Sequence, residues 1–107
     1  MLSELLYTAS GGGGGIDTLV AKLNDATVTT SDSSGRVSVT NGKTYLVMYS
    51  RGDASVTPSF VSGGTALYEY NYADILGVKT YFGIIRATST TLTFAGTGNP
   101  TYLAQLD

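Results

Sequence analysis

The chain of 107 residues contains no cysteine, no histidine and no tryptophan, and only two prolines. Without cysteine there is no disulfide and no thiolate nucleophile. Without histidine there is no imidazole base, no Ser-His-Asp triad and no zinc site of the usual ligand set. Charge is scarce as well: Asp, Glu, Lys and Arg together make up 13% of the residues, about half the ordinary share. Six basic residues stand singly against eight acidic ones, for a net charge of −2. No basic stripe is therefore available to neutralise phosphates, and no polybasic segment to hold an anionic lipid surface. Neither nucleic acid nor a membrane is expected as a partner. No apolar run approaches the roughly 18 residues of a spanning helix, and "MLSELLYTAS" has no basic region ahead of an apolar one. The expectation is a protein without a signal peptide, made in a cytoplasm.

What remains for catalysis is carboxylate, lysine or tyrosine chemistry. The eight acids are Glu4, Asp17, Asp25, Asp32, Asp53, Glu69, Asp74 and Asp107, mostly beside Gly, Ser or Asn in turn settings. A glycosidase needs two carboxylates facing each other across a cleft, and so short a β chain leaves little room for a deep pocket. The chain is not expected to be an enzyme, and no catalytic residue, cofactor or metal is assigned.

What the chain has in abundance is Gly, Ser, Thr, Tyr and period-two patterning. In "RVSVTNGKTYLVMYS", Asn41-Gly42 is the preferred two-residue hairpin turn, since both positions tolerate φ > 0. Pairing Thr40 with Lys43 sets Val39 opposite Thr44 and Val37 opposite Leu46. The predicted core face is then Val37, Val39, Leu46 and Met48, with Tyr45, Val47 and Tyr49 on a mixed face. Further strands are read in "ATVTT", "VTPSFV", "ALYEYNY", "VKTYFGIIRA", "TLTFA" and "TYLAQL", with turns between them. Pro58, which cannot donate to a ladder, marks an edge or a bulge. In "IDTLVAKLND" the residues Ile16, Leu19, Val20 and Leu23 make a helical stripe, while Leu19, Ala21 and Leu23 alternate as in a strand, and the β-rich setting favours the extended reading. The fold class expected is all-β: one β-sandwich or jelly-roll-like domain of about eight strands over 16–107, with room for one short helix near 16–24. Residues 1–15 form a separate N-terminal segment and Gly-rich hinge.

Gly11 to Gly15 do not make a phosphate cradle, because the G-x-x-x-x-G-K-[ST] spacing is missing and Ile16-Asp17 follows the run. They are read either as a flexible linker or as an ordered, close-packed crossing. Ahead of them Leu2, Leu5, Leu6 and Tyr7 bury little alone, so this segment either adds a strand to the body or attaches it to another molecule. Arg51-Gly52-Asp53 matches the tripeptide that integrins recognise, yet Gly and Asp are ordinary turn residues and give the triplet a local explanation. Asn99-Pro100-Thr101 carries the proline that disqualifies it for glycosylation.

Tyr68, Tyr70 and Tyr72 project from one face of a strand, with Leu67, Glu69 and Asn71 on the other. Three readings fit: a half-buried sheet face, a subunit interface, or a platform on which sugar rings stack. "YFGII" at Tyr81 to Ile85 is apolar on both faces and asks for cover on both. In a thin two-layer domain the outer cover is a loop, the N-terminal segment or another subunit. Tyr68, Tyr70, Tyr72, Tyr81 and Phe82 are accordingly the candidate oligomer interface or ligand platform.

The order "GKTYLVMYS", "GGTALYEY" and "YFGIIRATSTTLTFAGTGNPTYLAQL" resembles the small β-sandwich accessory proteins of tailed phages and prophages: head-decoration, head-fibre and tail-fibre modules. The resemblance spans about residues 36 to 106. It is carried by a Gly-Lys-x-Tyr strand start, a Gly-Gly before an apolar strand, and an Ala-Thr-x-Ser/Thr-Thr-Leu turn before the penultimate strand. It implies a structural capsid protein of the virion, made in the host bacterial cytoplasm and commonly a homotrimer. Its N-terminal segment would attach to a phage capsid or tail protein, and it would have no active site. The chain departs from that family in having neither a collagen-like repeat nor a coiled coil for trimerisation. The alternative is a tail-tip module that binds a host surface glycan through Tyr68, Tyr70 and Tyr72.

Overall fold

The computed structural model describes residues 15–51, 57–73, 78–96 and 100–107. Their elements are α1 (Gly15–Asn24), β1 (Thr27–Thr30), β2 (Arg36–Ser38), β3 (Thr44–Arg51), β4 (Phe60–Ser62), β5 (Gly64–Ala73), β6 (Lys79–Ala87), β7 (Thr91–Phe94) and β8 (Pro100–Gln105). The strands form two antiparallel sheets, a five-stranded one in the order β1-β8-β3-β6-β5 and a three-stranded one in the order β2-β7-β4. The expected all-β sandwich of about eight strands with one short helix is thus present. β1 pairs with β8, β2 with β7 and β3 with β6, the nested pairing of a rolled-up, jelly-roll-like chain.

The turn at Asn41-Gly42 forms, but not as the expected hairpin. Lys43 N–H donates to the Thr40 carbonyl at 3.2 Å. Gly42 has φ 87°, whereas no non-glycine residue among those described has positive φ. A two-residue hairpin turn matched to strand twist requires positive φ at its first central residue, and in type I′ at both. With Asn41 in the ordinary region, the turn instead carries the chain from one sheet to the other, and β2 and β3 never pair. The expected register of Val37 opposite Leu46 is therefore corrected, and with it the core face of β3. Tyr45, Val47 and Tyr49 point inward and are buried, while Leu46 belongs to the outer side and Met48 is 38% exposed.

The inter-sheet core joins Val37, Tyr45, Val47, Tyr49, Tyr81, Ile85, Ala87, Leu92 and Phe94. At its centre the rings of Tyr49, Tyr81 and Phe94 lie 5.5 to 5.9 Å apart at tilted or edge-on angles, the geometry favoured by the ring quadrupoles. Two of these rings carry hydroxyls that need partners. Tyr49 OH donates to the Ala95 carbonyl at 2.9 Å and accepts from Ser59 N–H at 2.9 Å. Burial raises the Tyr49 pKa above its usual value, partly offset by the Ser59 N–H.

Near one corner, Gly63 at φ 104° links β4 to β5, so that consecutive short stretches of chain lie in different sheets. Thr88 N–H donates to the Gly63 carbonyl at 2.9 Å, tying this corner to the matching crossing between β6 and β7. Pro58 is buried just ahead of β4, an edge strand whose register with β7 shifts between Phe60 and Ser62.

The segment with two readings is a helix and not the extended stretch expected, because its stripe has a sheet to lie on. Leu19 and Leu23 pack with Leu46, Phe82, Ile84, Ala104 and Leu106 on the outer face of the large sheet. Tyr102 OH donates to the Leu23 carbonyl at 3.0 Å, satisfying one of the acceptors that a helix C-terminus leaves open.

Candidate interaction surface

The acidic residues that are described each have a local setting. Asp32 Oδ1 accepts Ser34 N–H at 2.8 Å and Arg36 N–H at 3.0 Å, and its Oδ2 accepts Arg36 Nε–H at 2.9 Å. These backbone donors, Arg36 first, hold its carboxyl below the usual value. Asp107 Oδ1 accepts Thr44 N–H at 2.7 Å, fastening the chain end to the start of β3. Asp17 lies in the first turn of α1, where a negative charge suits the helix dipole. Among the described residues no three potential metal-ligating side chains cluster.

A cleft of about 420 Å³ opens beside β1 and β2, lined in part by Asp25, Ser38, Thr40, Tyr45 and Gln105. Tyr45 OH accepts Thr40 N–H at 2.7 Å and donates to Gln105 Oε1 at 3.2 Å, so these polar groups already satisfy one another. Asp25 is the one carboxylate among its described lining residues. The paired carboxylates of glycoside hydrolysis are not assembled there.

The tyrosine stripe makes a surface of a different kind. In β5 the register runs Tyr68 opposite Ile84, Tyr70 opposite Phe82 and Tyr72 opposite Thr80. Directly opposed residues share a face, so the three rings stand on the outer face of the large sheet. They are 42%, 54% and 53% exposed. A register shift between Ala66 and Tyr68 breaks the alternation, and Leu67 joins the outer apolar cluster instead of the inner face. The rings of Tyr68 and Phe82 meet edge-on at 6.0 Å.

The five aromatics expected together are divided by strand alternation. Tyr81 and Phe82 are consecutive, so one must face in and the other out. Tyr81 is fully buried in the inter-sheet core and is corrected out of the interface set, whereas Phe82 is half-buried on the outer face. Tyr81 OH donates to Glu69 Oε1 at 3.2 Å. Burial raises the Tyr81 pKa far above its usual value, and the neighbouring Glu69 charge adds to the effect.

The cover expected over "YFGII" comes partly from α1. It reaches Ile84, which is 4% exposed, and leaves the row beyond it more open. That row crosses the whole sheet: Val28 opposite Tyr102, Tyr102 opposite Met48, Met48 opposite Phe82, Phe82 opposite Tyr70. Its two ends are the most open, Val28 at 71% and Tyr70 at 54%. Val28, Met48 and Tyr102 were missing from the sequence-based set. Alternation tells which residues of one strand share a face, but only strand order joins them into a row.

Leu2, Leu5, Leu6 and Tyr7, the residues expected to serve attachment, and Gly11 to Gly14 lie outside the described residues. So do Gly52 and Asp53 of the Arg-Gly-Asp triplet, whose Arg51 ends β3. Comparison with known proteins finds no matching family model, no matching curated protein and no matching solved structure.

Proposed function

We propose that this protein is a structural assembly module, a decoration or fibre component of a phage virion that works as a homo-oligomer and carries no chemistry of its own. The observation that carries the reading is the aromatic outer face of the large sheet. Its half beneath α1 is covered, while Tyr68, Tyr70, Tyr72, Met48 and Val28 stand open on the rest. Apolar rows that cross a whole sheet are uncommon on soluble surfaces without a partner to cover them. Tyrosine suits such a contact because it offers a large rigid area and a hydroxyl. The phage assignment rests on the sequence resemblance, and the N-terminal residues Leu2, Leu5, Leu6 and Tyr7 are its proposed attachment segment. A capture experiment tests both parts: full-length protein should retain a capsid or tail protein of the parent virion, and a chain lacking residues 1–14 should fold but lose that capture. A truncated chain that fails to fold, or that captures equally well, overturns the attachment role.

A second reading is favoured by the same exposures. Rings at i, i+2 and i+4 along a strand stand about 7 Å apart and present flat apolar faces to solvent, as a saccharide platform does. Titration with host surface glycans should then shift the resonances of Tyr70 and Tyr72. An unshifted spectrum with every glycan leaves the tyrosines to assembly alone.

A further inference from the structure

The large sheet ends at β5, and β5 is an unusual edge. It runs for ten residues, Gly64–Ala73, against four for β1 at the other edge. Proteins guard sheet edges by keeping them short, by placing Pro or Lys on them, or by bulging them away. β5 contains neither Pro nor Lys. Its one irregularity lies between Ala66 and Tyr68, and from Tyr68 to Ala73 the register with β6 runs unbroken. Among the described residues no strand pairs with its other side.

The sequence of that regular stretch, Tyr-Glu-Tyr-Asn-Tyr, is complementary to itself in one particular register. Opposed residues of an antiparallel pair share a face, so a twofold axis joining two copies of β5 must pass beside a residue, not between two. An axis at Glu69 sets like charges opposite each other, which is unfavourable. An axis at Asn71 places Glu69 opposite Ala73. An axis at Tyr70 places Tyr70 opposite itself, Tyr68 opposite the partner subunit's Tyr72, and Glu69 opposite the partner subunit's Asn71. In that arrangement a carboxylate meets an amide donor twice. Glu69 uses Oε1 for Tyr81, and a carboxylate has acceptor sites on both oxygens.

We propose that β5 pairs antiparallel with β5 of a second copy about a twofold axis at Tyr70, joining two five-stranded sheets into one of ten strands. This rests on the assembly reading above and names its contact. The outer row from Val28 to Tyr70 then runs on through the axis into its symmetry mate. An isologous contact of this type closes at two copies, so it builds dimers or even-numbered assemblies, unlike the trimer that the family resemblance implies.

The absence of cysteine makes the test direct. Opposed Cα atoms in an antiparallel pair lie about 4.5–5.5 Å apart, inside the range that a disulfide spans. Tyr70→Cys should therefore oxidise to a covalent dimer. Tyr68→Cys should not, because its own symmetry mate lies four residues along the strand, about 13 Å away. Charge exchange supplies an independent readout by light scattering. Asn71→Glu sets two carboxylate pairs opposite each other and should raise the dimer dissociation constant about tenfold. Combining it with Glu69→Lys should restore the dimer, with circular dichroism confirming that each variant is folded. A single-chain mass for the unmodified protein throughout the micromolar range overturns both this pairing and the assembly reading. A trimer, or a dimer in which Tyr70→Cys cross-links no better than Tyr68→Cys, overturns the pairing and leaves the assembly reading standing.

Discussion

Gly83 is expected to tolerate no side chain, and the cost of adding one methyl can be worked from its surroundings. It sits in the middle of β6 with an ordinary backbone conformation, since it is not among the glycines with positive φ. Alanine there would not strain the backbone, and on an open strand it would stabilise by roughly 0.5–1 kcal/mol through the unfolded chain. The space decides otherwise. The Tyr81 ring leans along its own strand over Gly83, and a Cβ at position 83 would lie 2.5 Å from the Tyr81 hydroxyl oxygen and 2.8 Å from Cε1 and Cζ. Tyr81 cannot step aside freely, because it is fully buried against Tyr49 and Phe94 and its hydroxyl is bonded to Glu69. Overpacking of a well-filled core costs about 1–3 kcal/mol, and losing a hydrogen bond to a carboxylate costs a further 1.5–3 kcal/mol or so. Net of the backbone gain, Gly83→Ala should destabilise by about 2–5 kcal/mol. That corresponds to a fall in Tm of about 10 °C or more for a domain of this size. Urea denaturation measures it directly. The coupling is checked in a Tyr81→Ala background, where the same substitution should cost little. A Gly83→Ala protein as stable as the parent would refute the packing argument, and equal losses in both backgrounds would refute its attribution to Tyr81.

Other perturbations probe the remaining contacts. Tyr49 and Tyr81 have raised pKa values, so their contribution to stability is complete below the unfolded tyrosine value near 10 and is lost as pH climbs from there toward the folded values. Urea midpoints should fall steeply above pH 10, and ultraviolet titration should show a late-ionising component that shrinks in Tyr49→Phe and in Tyr81→Phe; a late component unchanged by either substitution, or none at all, counts against it. Asp32 has a lowered pKa, so the opposite sign applies: its contribution is complete above about pH 4 and disappears as pH falls through the lower folded value. Asp32→Asn should flatten the acid limb of the stability curve, and an unchanged limb would show that the turn does not depend on the charge. Tyr102→Phe removes the donor to the Leu23 carbonyl at a cost of about 1 kcal/mol, and amide exchange in α1 should rise more than in β3; uniform exchange would mean that the helix is held by Leu19 and Leu23 alone.

Strand existence was legible in the sequence because alternation of β-branched and aromatic residues is a local property. "ATVTT" and "TLTFA" each contain a strand of the structure, and "TYLAQL" holds all of one but its first residue, Pro100. Pairing was not legible, and Asn41-Gly42 shows why. The dipeptide is compatible with more than one turn, and whether Asn41 takes positive φ depends on what the flanking strands pair with. Here β7 claims β2, while β6 and β8 claim β3. Once that choice is reversed, the inward face of β3 reverses too, since a strand has only two faces. Leu46 and Met48 look like better core residues than Tyr45 and Tyr49 by hydropathy. The tyrosines can nonetheless be buried because their hydroxyls reach partners at the sandwich margins: Gln105 and the Thr40 N–H for Tyr45, Ala95 and Ser59 for Tyr49.

The candidate surface divides along the same line. Spacing alone places Tyr68, Tyr70 and Tyr72 on one face of any strand that contains them, and the structure agrees. Spacing also separates Tyr81 from Phe82, yet both entered the expected interface, because an apolar run says that two faces want cover and not which face finds it inside the molecule. The inner face of β6 finds it in the smaller sheet, and the outer face in a helix whose register was undecided between 3.6 and 2. Leu19 and Leu23 satisfy both periods, so only the presence of Ile84 and Leu46 beneath them decides in favour of the helix, which in turn covers one end of the outer face and not the other. The exposure of Tyr70 therefore follows from where α1 lies: Leu19 and Leu23 join the cluster that takes in Ile84, Phe82 and Tyr102, while Val28 and Tyr70 at the two ends of the row stay outside it and open. A row left open for that reason, ending on an edge strand with no Pro and no Lys, has two ways to gain cover, a ligand over the rings or a strand beside the backbone. The cross-link at position 70 separates them, because stacking on the rings brings no second chain to the edge.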